Sequence, residues 1–108
     1  MTDQVHEFRT ETAPDGTLIL HVPGTLDSVS APNIKRDALA ALRSSDGAVR
    51  VDLSMTTFMD SAGIGLLVSL FRFSKEASRS FVLAGAKNQP LSLIRTIQMD
   101  KVVDIEAD

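Results

Sequence analysis

Residues 49–67 read VRVDLSMTTFMDSAGIGLL, and the hydrophobic period changes within this stretch. In its first part the apolar residues Val49, Val51 and Leu53 alternate with polar ones, which is typical of a β-strand. The segment MTTFMD follows, and we predict that it forms a loop. Apolar residues then recur at helical spacing, which predicts a helix that runs roughly from Ser61 to Ser78. A strand followed by a helix is the repeating unit of α/β sheets.

The flanking sequence extends this pattern in both directions. Pro14-Asp15-Gly16 has the residue types of a tight turn, which predicts an opening β-hairpin between QVHEFRT and TLILHVPG. The second strand of the hairpin, Thr17 to Val22, is apolar on both faces, so we expect an inner strand that is covered on both sides. The other predicted elements are a helix from about Ala31 to Arg43, the strand FVLAG, a helix from about Gln89 to Gln98 and a last strand KVVDI.

The order of these elements, β-β-α-β-α-β-α-β, predicts an α/β fold. We expect one domain over residues 1–108, with a mixed β-sheet that has an opening antiparallel hairpin and then parallel crossovers, packed with α-helices. Pro32 and Pro90 fall in the first turns of the first and third helices, where a missing N–H costs little. Ser28 or Ser30 can cap the first helix.

The composition argues against several classes of function. The chain has 108 residues, of which 44% are hydrophobic, and its net charge is −3. Its basic residues are scattered, so they do not predict a nucleic-acid or anionic-membrane surface. It has no cysteine, no signal-peptide features in MTDQVHEFRT, and no apolar run near the roughly 20 residues that cross a bilayer. We therefore predict a cytoplasmic protein with no nucleic-acid partner and no membrane insertion.

The motifs of common enzyme sites are missing around Ser61. A nucleophile elbow needs Gly-x-Ser-x-Gly, but the two residues before Ser61 are Met and Asp. Val68 stands where a dinucleotide-binding loop would have its third glycine. His6, expected on the surface, and His21, expected in a strand, both fall in the opening hairpin, so neither is predicted to act as a base. We predict no catalytic residue, no cofactor and no metal, although three carboxylates at strand ends could in principle gather a cation: Asp27, Asp52 and Asp60.

Ser61 stands where the second helix is predicted to begin, and two roles fit it. As an N-cap, its oxygen would accept a hydrogen bond from one of the unpaired N–H groups of the first turn. As a phosphoacceptor, it would place a phosphate at the free amides and the positive end of the helix dipole. The phosphate would also add nearly two negative charges beside Asp60. If this surface binds a partner, that charge would break the interface.

The predicted second helix is apolar over more than half of its circumference. The face expected to pack on the sheet contains Ile64, Leu67, Val68 and Phe71. The nearly opposite face contains Ala62, Gly63, Leu66, Leu70 and Phe73. A neighbouring helix would cover this second face. The alternative is a partner protein that docks where the helix begins, since the small residues Ala62, Gly63 and Gly65 leave room for close backbone approach.

Two segments carry a resemblance to a known family. The first, PGTLDSVSAPNIKRDALAAL, places Gly24-x-Leu26-Asp27 after a strand. The second, VRVDLSMTTFMDSAGIGLL, ends a strand with Asp52-Leu53-Ser54 and opens a helix with Phe58-x-Asp60-Ser61-x-Gly63-x-Gly65. In order and separation these elements resemble the STAS domain, specifically that of the bacterial anti-sigma factor antagonists. The similarity covers nearly the whole chain.

The resemblance implies a partner-switching regulator of transcription in a stress response. In such proteins the unphosphorylated antagonist binds an anti-sigma factor, a serine kinase of the histidine-kinase-like ATPase type, and so frees the sigma factor. Phosphorylation of the serine ends the binding, and a PP2C-type phosphatase restores it. Carried over to this chain, Ser61 is the phosphoacceptor of a protein that is a substrate and not an enzyme. The implied partner-binding residues are Asp27, Asp60, Ser61, Ala62, Gly63, Gly65 and Leu66.

Two other functions remain open. A STAS subunit of a lipid-transport or signalling complex would bind protein constitutively, and Ser61 would then be only a cap. A small-molecule sensor would bind a nucleotide at the start of the second helix, although no purine-selective contacts can be found in the sequence.

The chain departs from the family pattern at two helix ends. Ala77-Ser78-Arg79-Ser80 stands where family members often have a glycine pair, and Met99-Asp100 stands where they often have Gly-Leu. The left-handed residue that closes the third helix is therefore expected at Asp100 or Gln98.

Overall fold

The computed structural model describes residues 7–106, in which a five-stranded sheet and a two-stranded sheet are combined with three α-helices. In chain order the elements are β1 (Arg9–Thr12), β2 (Leu18–His21), β3 (Gly24–Leu26), α1 (Ala31–Arg43), β4 (Val49–Asp52), β5 (Thr56–Met59), α2 (Ser61–Glu76), β6 (Phe81–Ala84), α3 (Asn88–Thr96), a 3-10 turn (Met99–Lys101) and β7 (Asp104–Glu106). His6, expected on the surface, lies outside the described residues. None of the described helices is long and apolar enough to span a bilayer.

The larger sheet has the strand order β1-β2-β4-β6-β7. β1 is antiparallel to β2, and every later pairing in this sheet is parallel. The predicted mixed α/β fold with an opening hairpin is therefore confirmed. Leu20, Val51 and Leu83 lie opposite one another on the three central strands, and each is 0% exposed. This row of branched side chains is the centre of the hydrophobic core.

Only one face of the larger sheet is fully covered. Along β2, Leu18 and Leu20 are buried, whereas Ile19 and His21 between and after them are half-buried. Each parallel strand is added on the same side of the previous one, so right-handed crossovers place the helices on one face. The prediction that β2 is an inner strand is confirmed, and the prediction that it is covered on both sides is wrong.

The segment MTTFMD, predicted to be a loop, contains β5. This strand pairs in parallel with β3, and the two form a separate small sheet. The segment that forms β3 was likewise not predicted to be a strand. Both strands are short and neither alternates in burial, since Thr57 and Phe58 of β5 are exposed next to each other. The register also shifts between Gly24 and Thr25. Because the period of two is lost, the pattern that identifies strands in a sequence is lost with it.

The observed bounds of the first two helices lie close to the predicted ones. α1 has the predicted bounds, Ala31–Arg43. α2 ends at Glu76 and not at Ser78, because Ser78 has a φ of 57° and so leaves the right-handed helical region. A serine thus adopts the left-handed conformation within Ala77-Ser78-Arg79-Ser80.

The third helix begins one residue earlier and ends two residues earlier than predicted. It starts at Asn88, whose φ is 53°, and ends at Thr96. Gln98 has a φ of 64°, so it is the left-handed residue that closes this region, one of the two positions expected. The last strand begins only at Asp104, because part of the predicted KVVDI segment belongs to the 3-10 turn.

α2 is covered by α1, which confirms the neighbouring-helix interpretation of its apolar surface. The buried residues of α2 are Gly63, Leu66, Leu67, Leu70 and Ser74. The predicted division into faces is wrong in one respect: Val68, expected to face the sheet, is 37% exposed. α2 contacts both α1 and strands of the sheets, so its buried residues come from both predicted faces.

The half-exposed face of the sheet carries a chain of hydrogen-bonded polar side chains. His21 contacts Asp52 Oδ2 through Nδ1 at 2.8 Å and Glu11 Oε1 through Nε2 at 2.7 Å. Asp52 Oδ1 also accepts a hydrogen bond from the Ser54 N–H at 2.9 Å. Burial opposes ionisation of Asp52, but the hydrogen bonds from Ser54 and His21 outweigh it and lower the pKa of this carboxyl.

This arrangement predicts an acid-sensitive contribution to stability. A carboxyl whose pKa is lower in the folded state stabilises the fold above its ordinary pKa, and this stabilisation is lost as the pH falls through the folded value. We expect the urea midpoint of unfolding to drop as the pH falls below about 4, the ordinary pKa of an aspartate, and to drop less in Asp52→Asn. The control is Asp46→Asn at an exposed position, which should follow the wild-type curve. Equal acid losses in the wild type and Asp52→Asn would contradict the assignment.

Candidate functional site

The small sheet brings two carboxylates to one edge. β3 and β5 are parallel and Leu26 is the register partner of Met59, so the next residues, Asp27 and Asp60, leave the sheet at the same end. α1 begins shortly after Asp27 and α2 directly after Asp60. Both helix N-termini, with their unpaired N–H groups, therefore meet at this edge.

Asp60, and not Ser61, caps α2. Asp60 has an extended backbone, and its Oδ1 accepts hydrogen bonds from the N–H groups of Ala62 at 2.9 Å and Gly63 at 3.4 Å. Its carbonyl accepts the first intrahelical bond, from Ile64 N at 3.0 Å. The interpretation of Ser61 as an N-cap is therefore wrong, since the carboxylate one residue earlier already has this role.

Asp27 holds the approach to α1 in a similar way. Its Oδ1 accepts hydrogen bonds from the N–H groups of Val29 at 2.9 Å and Ser30 at 3.1 Å. Ser30 occupies the N-cap position, but its hydroxyl donates to the Thr25 carbonyl at 2.7 Å and makes no capping bond to the helix. The expected serine cap is therefore replaced by a loop closed by Asp27, and Ser28 is exposed.

The two glycines at the start of α2 have different roles. A Cβ on Gly63 would lie 2.7 Å from the Leu26 carbonyl oxygen and 2.6 Å from Met59 Cγ. Gly63 thus allows the helix to lie directly against β3, so the close approach is internal to the fold. A Cβ on Gly65 would meet nothing within 4 Å, and Gly65 is exposed. Only Gly65 leaves its space open to a partner.

Sequence reasoning missed Gln89, which lies on α3 and contacts the same segment. Its Oε1 accepts a hydrogen bond from the Met59 N–H and its Nε2 donates to the Met59 carbonyl, both at 2.8 Å. A glutamine in the first turn of a helix is ordinary, and β5 was not predicted as a strand. No signal in the single sequence therefore linked Gln89 to the site.

The structure separates the predicted partner-binding residues by exposure. Ser61 and Gly65 are exposed, and Asp27, Asp60 and Ala62 are half-buried. Gly63 is buried and Leu66 is only 2% exposed, so these two residues support the surface from below.

A groove of about 530 Å³ between α1 and α2 continues this surface. Its lining is made of small, apolar and hydroxyl side chains with one cation, and consists of Ser28, Ala31, Pro32, Lys35, Ala62, Gly65, Leu66 and Ser69. Three of the predicted partner-binding residues, Ala62, Gly65 and Leu66, therefore belong to one concave surface.

The electrostatics at Ser61 differ from the expectation of free amides. The N–H groups of Ala62 and Gly63 already donate to Asp60, so a phosphate on Ser61 would compete with a carboxylate for them. Ser61 is exposed, and its hydroxyl has no hydrogen-bond partner within residues 7–106. A phosphate here would remain largely uncompensated and would concentrate negative charge at this edge.

Asp52 does not join the other two carboxylates. It is the last residue of the central strand β4, and its carboxylate contacts His21 and accepts a hydrogen bond from the Ser54 N–H. Within residues 7–106, no group of three or more His, Cys, Asp or Glu side chains could hold a metal ion. Both ring nitrogens of His21 face carboxylates, which leaves this imidazole no free nitrogen to serve Ser61 as a base.

The capping geometry predicts opposite outcomes for two adjacent alanine substitutions. Asp60→Ala removes the acceptor for two first-turn amides, and we expect it to lower the free energy of unfolding by about 0.5–2 kcal/mol. Ser61→Ala removes an exposed hydroxyl without a partner, and its effect should stay within about 0.5 kcal/mol. Urea unfolding of both variants measures this difference. A larger loss of unfolding free energy for Ser61→Ala than for Asp60→Ala would show that Ser61 is the capping residue.

The two glycines allow a matched test of the packing at the start of α2. Gly63→Ala forces a methyl group against the Leu26 carbonyl, and we expect a loss of about 1–3 kcal/mol in unfolding free energy. At Gly65 the added methyl group has open space, so Gly65→Ala should raise the unfolding free energy by about 0.5–1 kcal/mol, as expected for alanine in a helix. Thermal unfolding measures both. Equal effects of the two substitutions would show that helix propensity alone decides them.

Sequence comparisons with known proteins find a family and curated relatives of this chain. The sequence model of the STAS domain family matches residues 9–108. The anti-sigma-B factor antagonist of Listeria monocytogenes is 28% identical over 88 residues, which are 81% of this chain and 76% of the relative.

Solved structures show the same fold at low sequence identity. An anti-sigma factor antagonist from Mycobacterium paratuberculosis superposes with a TM-score of 0.85 at 22% identity, over 94% of this chain and 86% of the other. The Bacillus cell fate determinant SpoIIAA in its phosphorylated form superposes with a TM-score of 0.72 at 16% identity, over 94% and 93% of the two chains. Since the family model spans nearly the whole sequence and the topology agrees, the chain belongs to the STAS domain family.

Proposed function

We propose that this chain is an anti-sigma factor antagonist controlled by phosphorylation of Ser61. In its unphosphorylated form it binds an anti-sigma factor, a serine kinase of the histidine-kinase-like ATPase type, and the sigma factor is released. The kinase transfers a phosphoryl group from ATP to the Ser61 hydroxyl, and the antagonist dissociates. A PP2C-type phosphatase then restores the binding form. The chain acts in the cytoplasm as a substrate and binding partner, and it contributes no catalytic residue of its own.

The observation that carries this proposal is the position of the Ser61 hydroxyl. It is exposed at the first residue of α2 and makes no hydrogen bond within the described part of the chain. A phosphoacceptor must be free to align with the γ-phosphoryl group of ATP, because phosphoryl transfer depends on in-line positioning. Asp60 carries the capping, so Ser61 can be modified without loss of a structural bond.

The same position explains how phosphorylation would end binding. A phosphate brings roughly −1.5 to −2 charges to a site that already contains the carboxylate of Asp60 and, across the small sheet, that of Asp27. A partner that covers the α1–α2 groove would have to desolvate this charge against the largely apolar surface around Ala62 and Leu66. Burying an unpaired charge is strongly unfavourable, so the phosphorylated chain dissociates without any refolding.

The names of one curated relative and of one solved structure with the same fold support the proposal. The Listeria monocytogenes relative is an anti-sigma-B factor antagonist, and SpoIIAA has been solved in a phosphorylated form on the same fold. The presence of Asp-Ser-x-Gly at the start of α2 and an exposed serine within it make phosphorylation the simplest way for this chain to act similarly.

A capture experiment with matched charge variants tests the proposal. Wild-type chain, Ser61→Asp and Ser92→Asp are immobilised and exposed to a lysate of the native cells, and bound proteins are identified by mass spectrometry. We expect the wild type and Ser92→Asp, whose new charge lies at an exposed position of α3, to retain the kinase. Ser61→Asp should retain at least about tenfold less, which corresponds to about 1.4 kcal/mol of binding free energy.

Recovery of the same partners by all three baits would contradict the proposal. If all three baits recover the same transporter or signalling subunits and no ATPase, the chain is a constitutive binding module. A second readout comes from incubating the wild type with the captured kinase and ATP, after which phosphopeptide mapping should place the phosphate on Ser61. Phosphate found only at another serine would reassign the switch.

A further inference from the structure

One side chain connects the first turn of α3 to the residue that precedes the Asp60-Ser61 pair. The Gln89 carboxamide accepts a hydrogen bond from the Met59 N–H and donates one to the Met59 carbonyl, each at 2.8 Å. One edge of β5 pairs with β3. On the opposite edge of β5, the Gln89 carboxamide makes its hydrogen bonds to the Met59 backbone. The carboxamide thus presents the acceptor and donor that a neighbouring strand would otherwise supply at this residue.

This pair of hydrogen bonds is partly buried. Met59 is 0% exposed and Gln89 is half-buried, so water does not readily replace the carboxamide. Buried backbone groups that lose their partners are costly, and the Met59 peptide would have to move to find new ones. Gln89 therefore fixes the backbone immediately before the capping residue of α2.

Gln89 is itself held in place. Lys87 is extended and Asn88 has a φ of 53°, so the chain turns sharply into α3 just before Gln89. Pro90, the next residue, is buried and has a fixed φ. Because Gln89 lies between a constrained turn and a buried proline, a displacement of the start of α3 would be transmitted to Met59.

We infer that Gln89 is the positioning residue of the phosphorylation site. It holds the Met59 peptide so that Asp60 caps α2 and the Ser61 hydroxyl projects outward in one orientation, and it couples α3 to the efficiency with which Ser61 is phosphorylated. This inference rests on the proposed function of Ser61 and adds a residue that is distant in sequence and does not contact the phosphoryl group.

The test uses two substitutions of different severity in the full chain. Gln89→Ala removes both hydrogen bonds. Gln89→Glu keeps the shape and the acceptor for the Met59 N–H, but at neutral pH its carboxylate cannot donate to the Met59 carbonyl. Gln98→Glu is the matched control, because it makes the same chemical change at an exposed residue beyond the end of α3.

The functional readout is the rate at which the captured kinase phosphorylates Ser61, measured over a range of substrate concentrations. We expect kcat/KM to fall about tenfold in Gln89→Glu and at least as far in Gln89→Ala, through kcat, with Gln98→Glu unchanged. Amide NMR signals of Leu20 and Val51 report that the core is intact, whereas those of residues 59–63 should move in the two Gln89 variants.

A spectroscopic rescue separates positioning from general loss of structure. When the pH is lowered toward about 4, near the ordinary pKa of glutamate, the carboxyl group of Gln89→Glu becomes protonated and can donate to the Met59 carbonyl. The signals of residues 59–63 should then return toward the wild-type positions, while those of Gln89→Ala should not.

The outcomes distinguish this inference from the function on which it rests. If wild-type Ser61 accepts phosphate and both Gln89 variants accept it at the wild-type rate, the positioning role is overturned and the proposed function stands. If wild-type Ser61 accepts no phosphate, the proposed function is overturned, and the positioning role with it. If the signals of residues 59–63 do not respond to either Gln89 substitution, the coupling itself is disproved.

Discussion

The site depends on the parallel pairing of β3 with β5. Neither strand belongs to the main sheet, and each has only three or four residues, yet their register places Leu26 opposite Met59. Because the strands run in the same direction, the residues that follow them emerge together, and each leads into a helix. The approach of two helix N-termini to one edge of the protein is thus a consequence of strand direction.

The pairing is maintained by contacts that leave little freedom to the segment around it. Gly63 lets α2 lie against the Leu26 carbonyl. The Thr56 hydroxyl donates a hydrogen bond to the Val22 carbonyl. The Gln89 carboxamide is hydrogen-bonded to the Met59 backbone. Each contact involves main-chain atoms, whose positions depend less on side-chain conformers than those of a hydrophobic contact. The loop and strand ends are therefore well defined although the small sheet has no long ladder of hydrogen bonds.

The sequence was most informative where a regular period runs over many residues. The core strands and the bounds of α1 could be predicted, because alternation and helical spacing extend over enough residues to be distinguished. β3 and β5 could not be predicted, since three or four residues with a shifted register carry no measurable period. The Asp-Ser-x-Gly motif predicted where the helix begins, but not which of its first two residues caps it, since both residue types are good N-caps. Gln89 was beyond reach because its role depends on a tertiary contact across 30 positions.

The separation of the cap from the proposed phosphoacceptor has a consequence for how this surface can change over time. Since Asp60 holds the helix end and Ser61 has no partner within residues 7–106, folding places little demand on the side chain at position 61. Under the proposed function, selection at that position therefore acts on phosphorylation almost alone. A lineage could lose the modifiable hydroxyl, or regain it, without passing through a poorly folded ancestor, whereas the neighbouring aspartate and Gly63 would stay fixed by stability in either kind of descendant.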